Sequence, residues 1–232
     1  MAARGIDAMV ERQGRRFELE RRGQVPQAPP CVALSRLPRS GGADLGRRLA
    51  EQLHFDFFGI EIVDRMAREL GIERRVVAEL DEHVRSAVDR YLTDSFRPRA
   101  VNEAQYLQRL VRILAAIGEG GGAVILGRGS CYVLPPERTL RVLVVAPRAY
   151  RIERLARELG LSPGEADHRL DEEDAERRHF IGHHFGVDPD TSTQYDLVVN
   201  TGTLGLEAAR ALVTDALHSK VGSSLESLRP RA

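Results

Sequence analysis

The chain has 232 residues, 42% of them hydrophobic, enough for one well-buried α/β domain with a small appendage. Its 34 basic and 34 acidic residues cancel, so no global field draws it to nucleic acid or a membrane, and any anion site must be local. Cys31 and Cys131 lack the spacing of zinc or redox motifs, no apolar run approaches the ~20 residues of a membrane span, and the N-terminus lacks the apolar core of a signal peptide. A cytoplasmic protein with reduced core cysteines is expected.

In chain order, residues 4–22 read as a charged helix with Ile6, Met9, Val10 and Phe17 roughly on one face, ended by the breaker Gly23–Pro30. So sparse a stripe is stable only when docked on the domain or on a second subunit. Residues 1–30 are therefore expected to be a helical arm and Pro-rich linker through which a homodimer could form. From Cys31 onward short apolar runs alternate with longer helical stretches. Val32–Ser35, Phe55–Phe58, Ala123–Gly127, Val142–Ala146 and Leu197–Asn200 predict strands. All but the weaker Phe55–Phe58 run lack the polar alternation of a half-exposed strand, which argues for a parallel sheet covered on both faces. Helical patterns fall at about 43–53, 61–70, 74–93, 103–118, 148–159, 163–182 and 205–218. The order predicts a doubly wound α/β domain over residues 31–220 and a flexible tail at 221–232. Such sheets bind ligands at the carboxyl ends of their strands.

The segment from Val32 to Ala50 has the outline of a phosphate-binding loop: apolar strand, Gly-containing turn, helix start. The usual loop follows its last glycine with Lys and then Ser or Thr. Here Gly41 is followed by Gly42, Ala43 and Asp44, and the only lysine of the chain is Lys220. The backbone is nevertheless sound, because the amides of Ser40, Gly41 and Gly42 and the positive end of the helix dipole favour an anion. Arg36 and Arg39 stand close enough to supply charge, while Arg47 lies a turn into the helix. Asp44 either stabilises the helix start or repels phosphate unless a metal lies between them. Two readings stand, an anion-binding loop and a purely structural strand-to-helix turn. Gly127-Arg128-Gly129 divides similarly: a phosphate contact at a strand end, where Gly permits close approach and Arg presents a planar fork, or a turn whose Arg pairs with a carboxylate.

Ser35-Arg36, Ser40-Gly41-Gly42, Gly127-Arg128-Gly129 and the run Tyr195–Thr201 occur in the order of the cytidylate kinase-like family, and from about Cys31 to Leu217 the chain resembles that branch of the P-loop nucleoside monophosphate kinases. The resemblance implies a three-layer P-loop NTPase-like fold, a five-stranded parallel sheet flanked by helices, with a helical lid. It also implies ATP with Mg²⁺ as phosphoryl donor. By resemblance Arg36, Arg39, Ser40, Gly41 and Gly42 meet the donor phosphates, and Asn200 and Thr201 approach its adenine. Arg151, Arg154 and Arg178 would act on the transferring group together with Arg128, with Arg169 and Arg177 as further candidates. The bland alternative is that these lid arginines form solvated intrahelical pairs with the neighbouring carboxylates. The family's arginine after the double glycine is Ala43 here, and its earlier loop glycine is Arg39. Its aspartate after an aromatic pair is Gly59, leaving Asp56 or Glu61 to substitute, with Phe55, Phe57 and Phe58 as core.

His179, His183 and His184 place two histidines one helical turn apart, a spacing that can bind metal, but the run supplies no third ligand. No metal site is predicted, and the three are read as lid surface. The expected function is transfer of the terminal phosphoryl group of ATP to a nucleoside monophosphate such as CMP or dCMP, with activity weakened by the altered loop. The alternatives are a non-catalytic nucleotide-sensing or protein-interaction module on the same scaffold, or a kinase for another small acceptor.

Overall fold

The computed structural model describes residues 28–69 and 101–222. The expected arm, the helix expected at about 74–93 and nearly all of the expected tail lie outside them. The described chain forms five strands: β1 Cys31–Arg36, β2 Asp56–Phe58, β3 Ala123–Leu126, β4 Thr139–Val145 and β5 Leu197–Asn200. Its α-helices are α1 Gly42–Leu53, α2 Ile60–Arg68, α3 Val101–Gly120, α4 Ser130–Val133, α5 Arg148–Leu159, α6 Pro163–Phe185 and α7 Thr201–Val221. The strands form one parallel sheet in the order β2-β3-β1-β4-β5.

The strands are largely apolar because the centre of the sheet is covered on both faces, while Val198 of the edge strand β5 is exposed. Cys31 and Ala33 of β1, Ile125 of β3 and Leu143 of β4 point to one face, where they meet Val63, Met66, Leu110, Leu114 and Ile117 of α2 and α3. Val32, Leu34, Val124, Leu140, Val142 and Val144 point to the other, against Leu45 and Leu49 of α1 and Val213 and Leu217 of α7. This period-2 division between two apolar layers removes the polar alternation that would mark a solvated face. Cys31 and Cys131 are free and buried, and burial pushes the Cys131 thiol up to about 12. No described helix is long and apolar enough to cross a membrane.

Helices α5 and α6 form a hairpin standing apart from the sheet, with a small apolar layer of its own from Leu155, Ala166 and Leu170. Its second helix starts on a capping box: Ser162 Oγ accepts from the Glu165 amide, and the Glu165 carboxylate accepts from the Ser162 amide. Pro163 follows at the first helical position. This hairpin is the helical lid.

Helix α7 begins at Thr201, earlier than the periodicity predicts. Asn200 Oδ1 accepts from the amides of Gly202 and Thr203, so Asn200 is the N-cap of the helix, and the non-helical Gly205 kinks it. The helix runs through Val221, one residue into the expected tail. Lys220 near its end donates to Asp196 Oδ2 at 2.5 Å and to the Thr139 carbonyl at 2.9 Å, at the amino ends of β5 and β4. The sole lysine is thus a structural clasp. Burial alone would raise the Asp196 carboxyl, but the Lys220 ammonium and the Arg141 amide and guanidinium outweigh it and hold it below its ordinary value.

A carboxyl depressed in the folded state contributes stability above its unfolded value, about 3.9, and loses it as pH falls through the folded value. Asp196→Asn should therefore cost about 1–2 kcal/mol at neutral pH and flatten the stability loss below about pH 4. Urea midpoints across pH 3–7 test this; parallel curves for the two proteins would refute it.

Candidate active site

The carboxyl ends of β1 and β3, the start of α1 and the inner face of the lid enclose a cavity of about 570 Å³. Its wall carries Arg36, Arg39, Arg47, Arg128, Arg154, Arg169 and Arg177, together with Asp44, Glu61, Glu158, Glu173 and Glu176. On one side lies the loop Leu37–Gly42. Helix α1 opens at Gly42 with no side-chain cap, so its first-turn amides are left to water or an anion. Ser40 is fully buried, and its hydroxyl donates to the Val144 carbonyl at 3.1 Å, fixing the loop to β4.

Glycine is required twice beside Arg36. A Cβ at Gly42 would lie 2.9 Å from the Arg36 Cβ; Gly127 has a φ of 73°, and a Cβ there would press on Ile60 at 3.2 Å, with Arg36 Nη1 at an ordinary 3.8 Å. Arg36 therefore runs between the loop and the 127–129 turn, and among the described residues its guanidinium holds no hydrogen bond. Burial, then the charges of Arg177 and Arg128, make it a weaker base than an ordinary guanidinium, with Glu61 opposing them. Three arginines thus converge on one place.

Gly127, Arg128 and Gly129 all have positive φ (73°, 52° and 76°), and for a residue with a Cβ that conformation is strained. The strain aims Arg128 into the cavity. Its Nη2 donates to Asp64 Oδ2 at 2.5 Å, its guanidinium lies 4.8 Å from the Phe180 ring centre, and its buried Nε has no partner. Tyr106 donates to the other Asp64 oxygen at 2.7 Å, which fixes the carboxylate that positions the arginine. Arg177 is anchored similarly, by Asp190 at 2.5 Å, Ser35 Oγ at 3.2 Å and the Pro189 carbonyl at 3.0 Å.

On the side of the Leu37–Gly42 loop the charges are already paired. Arg39, at φ 62°, donates to Glu173 through Nε at 3.0 Å and Nη2 at 2.6 Å, and to Glu158 through Nη1 at 2.5 Å. The Glu173 hydrogen bonds, more than the Glu158 ones, raise its guanidinium above the ordinary value. Arg154 bonds Asp44 of α1 and, at 2.8 Å, Glu158. These contacts latch both lid helices to the loop.

Of the residues singled out by sequence, Arg36, Arg39, Ser40, Gly41, Gly42, Arg128 and Arg154 share this cavity. Arg151, Arg178, Asn200 and Thr201 are not brought to it. Arg151 is buried against Asp174, with Nη1 at 2.8 and 3.0 Å from the two oxygens. Arg178 is exposed, 4.0 Å from Asp190. Asn200 is spent on its cap, and Thr201 Oγ1 bonds the Ser40 and Val145 carbonyls. Arg177 and Arg169 line the wall, as does Glu61. Phe58 is core, with Phe55 and Phe57 packed against the opposite layer. Asp64, Tyr106 and Phe180 had no signal in the sequence, because what matters about them is proximity to Arg128.

Residues 31–203 match the cytidylate kinase-like family. The chain belongs to that family. It is 28% identical over 181 residues to the cytidylate kinase of Methanopyrus kandleri, covering 73% of this chain and 83% of that one. To the cytidylate kinase of Pyrococcus horikoshii it is 27% identical over 198 residues, 83% of this chain and 91% of that one. It also aligns with a uronate isomerase of Corynebacterium glutamicum, 34% identical over 122 residues; the aligned part is 52% of this chain and only 23% of that protein's length. The fold matches the crystal structure of an uncharacterised protein from Eubacterium ventriosum with a TM-score of 0.64 at 18% identity, covering 82% of this chain and 98% of that one. The family's P-loop kinase fold is the one described above, and a nucleotide kinase-like function goes with it.

Proposed function

We propose that the chain binds ATP with its phosphates on the Ser40–Asp44 turn and transfers the terminal phosphoryl group to a nucleoside monophosphate such as CMP or dCMP. The observation that carries this reading is the convergence of Arg36, whose guanidinium has no hydrogen-bond partner among the described residues, and Arg128 beside open helix-start amides in one cavity. The α1 amides would hold the donor phosphates. Arg36 and Arg128 face the remaining space and would bind the acceptor phosphate, with Glu61 near its nucleoside end. An acceptor phosphate oxygen would attack the terminal phosphorus while the bond to the ADP oxygen breaks. Arginines placed around the transferring group neutralise charge that grows in the transition state. Mg²⁺ requires oxygen ligands, and Asp44 at the first turn of α1, paired here with Arg154 and Arg47, would be the residue to offer one if the lid arginine released it.

That last condition supports a second reading, a nucleotide-binding module without turnover, because Asp44, Glu158 and Glu173 neutralise Arg154 and Arg39 in this lid position. Titration with ATP and CMP, with and without Mg²⁺, followed by measurement of ADP release with CMP, dCMP and other acceptors, separates the two. Binding with turnover supports the kinase, binding alone supports the module, and no nucleotide binding overturns both.

The latch itself is testable. Glu173→Gln removes the bidentate partner of Arg39 and should tighten ATP binding by about three- to tenfold, the value of roughly one kcal/mol. Weaker binding in the variant would show instead that Glu173 serves the nucleotide.

A further inference from the structure

The lid helix ends in His183 and His184, and sequence alone leaves them without a third metal ligand. The fold supplies one. Glu103, in the first turn of α3 and about 80 residues upstream, reaches across so that its Oε1 lies 3.1 Å from His183 Nε2 and 3.8 Å from His184 Nε2. Each of the three residues offers a donor atom, and these atoms lie within 4.8 Å of one another. We propose that Glu103, His183 and His184 form a binding site for a divalent transition ion, best matched by Zn²⁺, which clamps the end of the lid to α3.

Tetrahedral zinc with bonds of about 2.0–2.2 Å needs its donors roughly 3.3–3.5 Å apart. Two of the observed separations bracket that range. A hydrogen-bonded His–Glu pair explains the shorter contact. The longer one, 3.8 Å, is beyond a hydrogen bond and slightly wider than two ligands of one ion, so binding would draw His184 and Glu103 together by a few tenths of an ångström.

The rings are held before any ion arrives. His184 stands edge-on to Phe180 at 4.7 Å, and its side chain is only 10% exposed. His183 stacks on His179 at 5.5 Å with an interplanar angle of 7°. Two imidazoles and one carboxylate favour zinc over the hard ion Mg²⁺, which prefers oxygen donors and keeps its waters. Three protein ligands leave a fourth position for water, so the ion would be exchangeable. The site is separate from the nucleotide cavity and does not rest on phosphoryl transfer. It does touch the same helix, since Phe180 lies under both His184 and Arg128.

The test is calorimetric titration of the chelator-stripped full chain with ZnCl₂, in the presence of excess Mg²⁺. One saturable equivalent is expected, with a visible absorption band of tetrahedral intensity when Co²⁺ is used instead. Loss of an outer-shell partner alone weakens metal sites about 10- to 100-fold, so Glu103→Gln and His184→Ala should each weaken binding at least tenfold. His168→Ala, an exposed position of the same helix that touches none of the three ligands, should leave it unchanged. Zinc should also raise the melting temperature of the native protein and not that of Glu103→Gln, since an ion bound only by the folded state stabilises it. Absence of a saturable equivalent, or equal affinity in Glu103→Gln, overturns the proposal. The glutamine variant keeps the size of the side chain, so its result stands even if His184→Ala fails to fold.

Discussion

Asp174→Ala is expected to lower the unfolding free energy by about 3–5 kcal/mol, the usual cost of stranding one partner of a buried ion pair. Asp174 and Arg151 have side chains only 10% and 8% exposed, and they join α6 to α5. The apolar layer beside them is small, with Leu155, Ala166 and Leu170 as its buried members. Little else would compensate a bare guanidinium there. The pair as a whole is a different matter, because two desolvated charges barely outweigh a well-packed apolar substitute. The double variant Arg151→Met with Asp174→Leu should therefore unfold within about 1–2 kcal/mol of the native protein, or later. Urea unfolding of the three proteins checks both claims, and a loss below about 1 kcal/mol in Asp174→Ala would refute the first. The double variant also bears on function. Resemblance to the family gives Arg151 a role at the transferring phosphoryl group, whereas its geometry gives it a structural one. Retained nucleotide turnover in the double variant selects the structural role, and abolished turnover in a stable protein selects the other.

The same contrast explains how much the sequence reveals. Strands β1, β3 and β4 are legible because burial on both faces leaves apolar runs, and the edge strand β5 because it stays apolar even at the exposed Val198; no distant information is needed to see them. The start of α7 is not, because Asn200-Thr201-Gly202-Thr203 has turn composition and becomes helical only when Asn200 caps it and Thr201 bonds the loop at Ser40. The loop backbone can be read from Ser40-Gly41-Gly42. The fate of its charge cannot, because Arg39 meets Glu158 and Glu173, 119 and 134 residues away. Arg151 and Arg154 sit three residues apart on neighbouring positions of one helix. One turns into α6 and the other reaches Asp44, a difference that spacing does not encode. Glu103 and the paired histidines show the converse, since a cluster that is incomplete in sequence becomes complete when α3 and α6 pack.

Arg128 carries the largest expected effect on chemistry. Its removal should reduce kcat/KM for phosphoryl transfer by about 10²–10³-fold, as for other preorganised donors aimed at developing charge. Glycine is the appropriate replacement, because Arg128 sits at φ 52° and alanine would keep that strain while glycine relieves it. Any loss of activity in Arg128→Gly then belongs to the guanidinium and not to the turn. Arg128→Lys should recover part of the loss, since it keeps the charge but not the planar fork. Tyr106→Phe should have a smaller effect, because it frees one oxygen of Asp64 while leaving the Asp64–Arg128 pair intact. Steady-state rates with a varied acceptor, together with calorimetric binding of the monophosphate, separate the outcomes. A raised KM and weakened monophosphate binding place Arg128 on the acceptor phosphate. A lowered kcat with unchanged monophosphate affinity places it on the transferring group. If Arg128→Gly alters neither rate nor affinity, the guanidinium only ties the 127–129 turn to α2 through Asp64, and the acceptor site must lie elsewhere in the cavity.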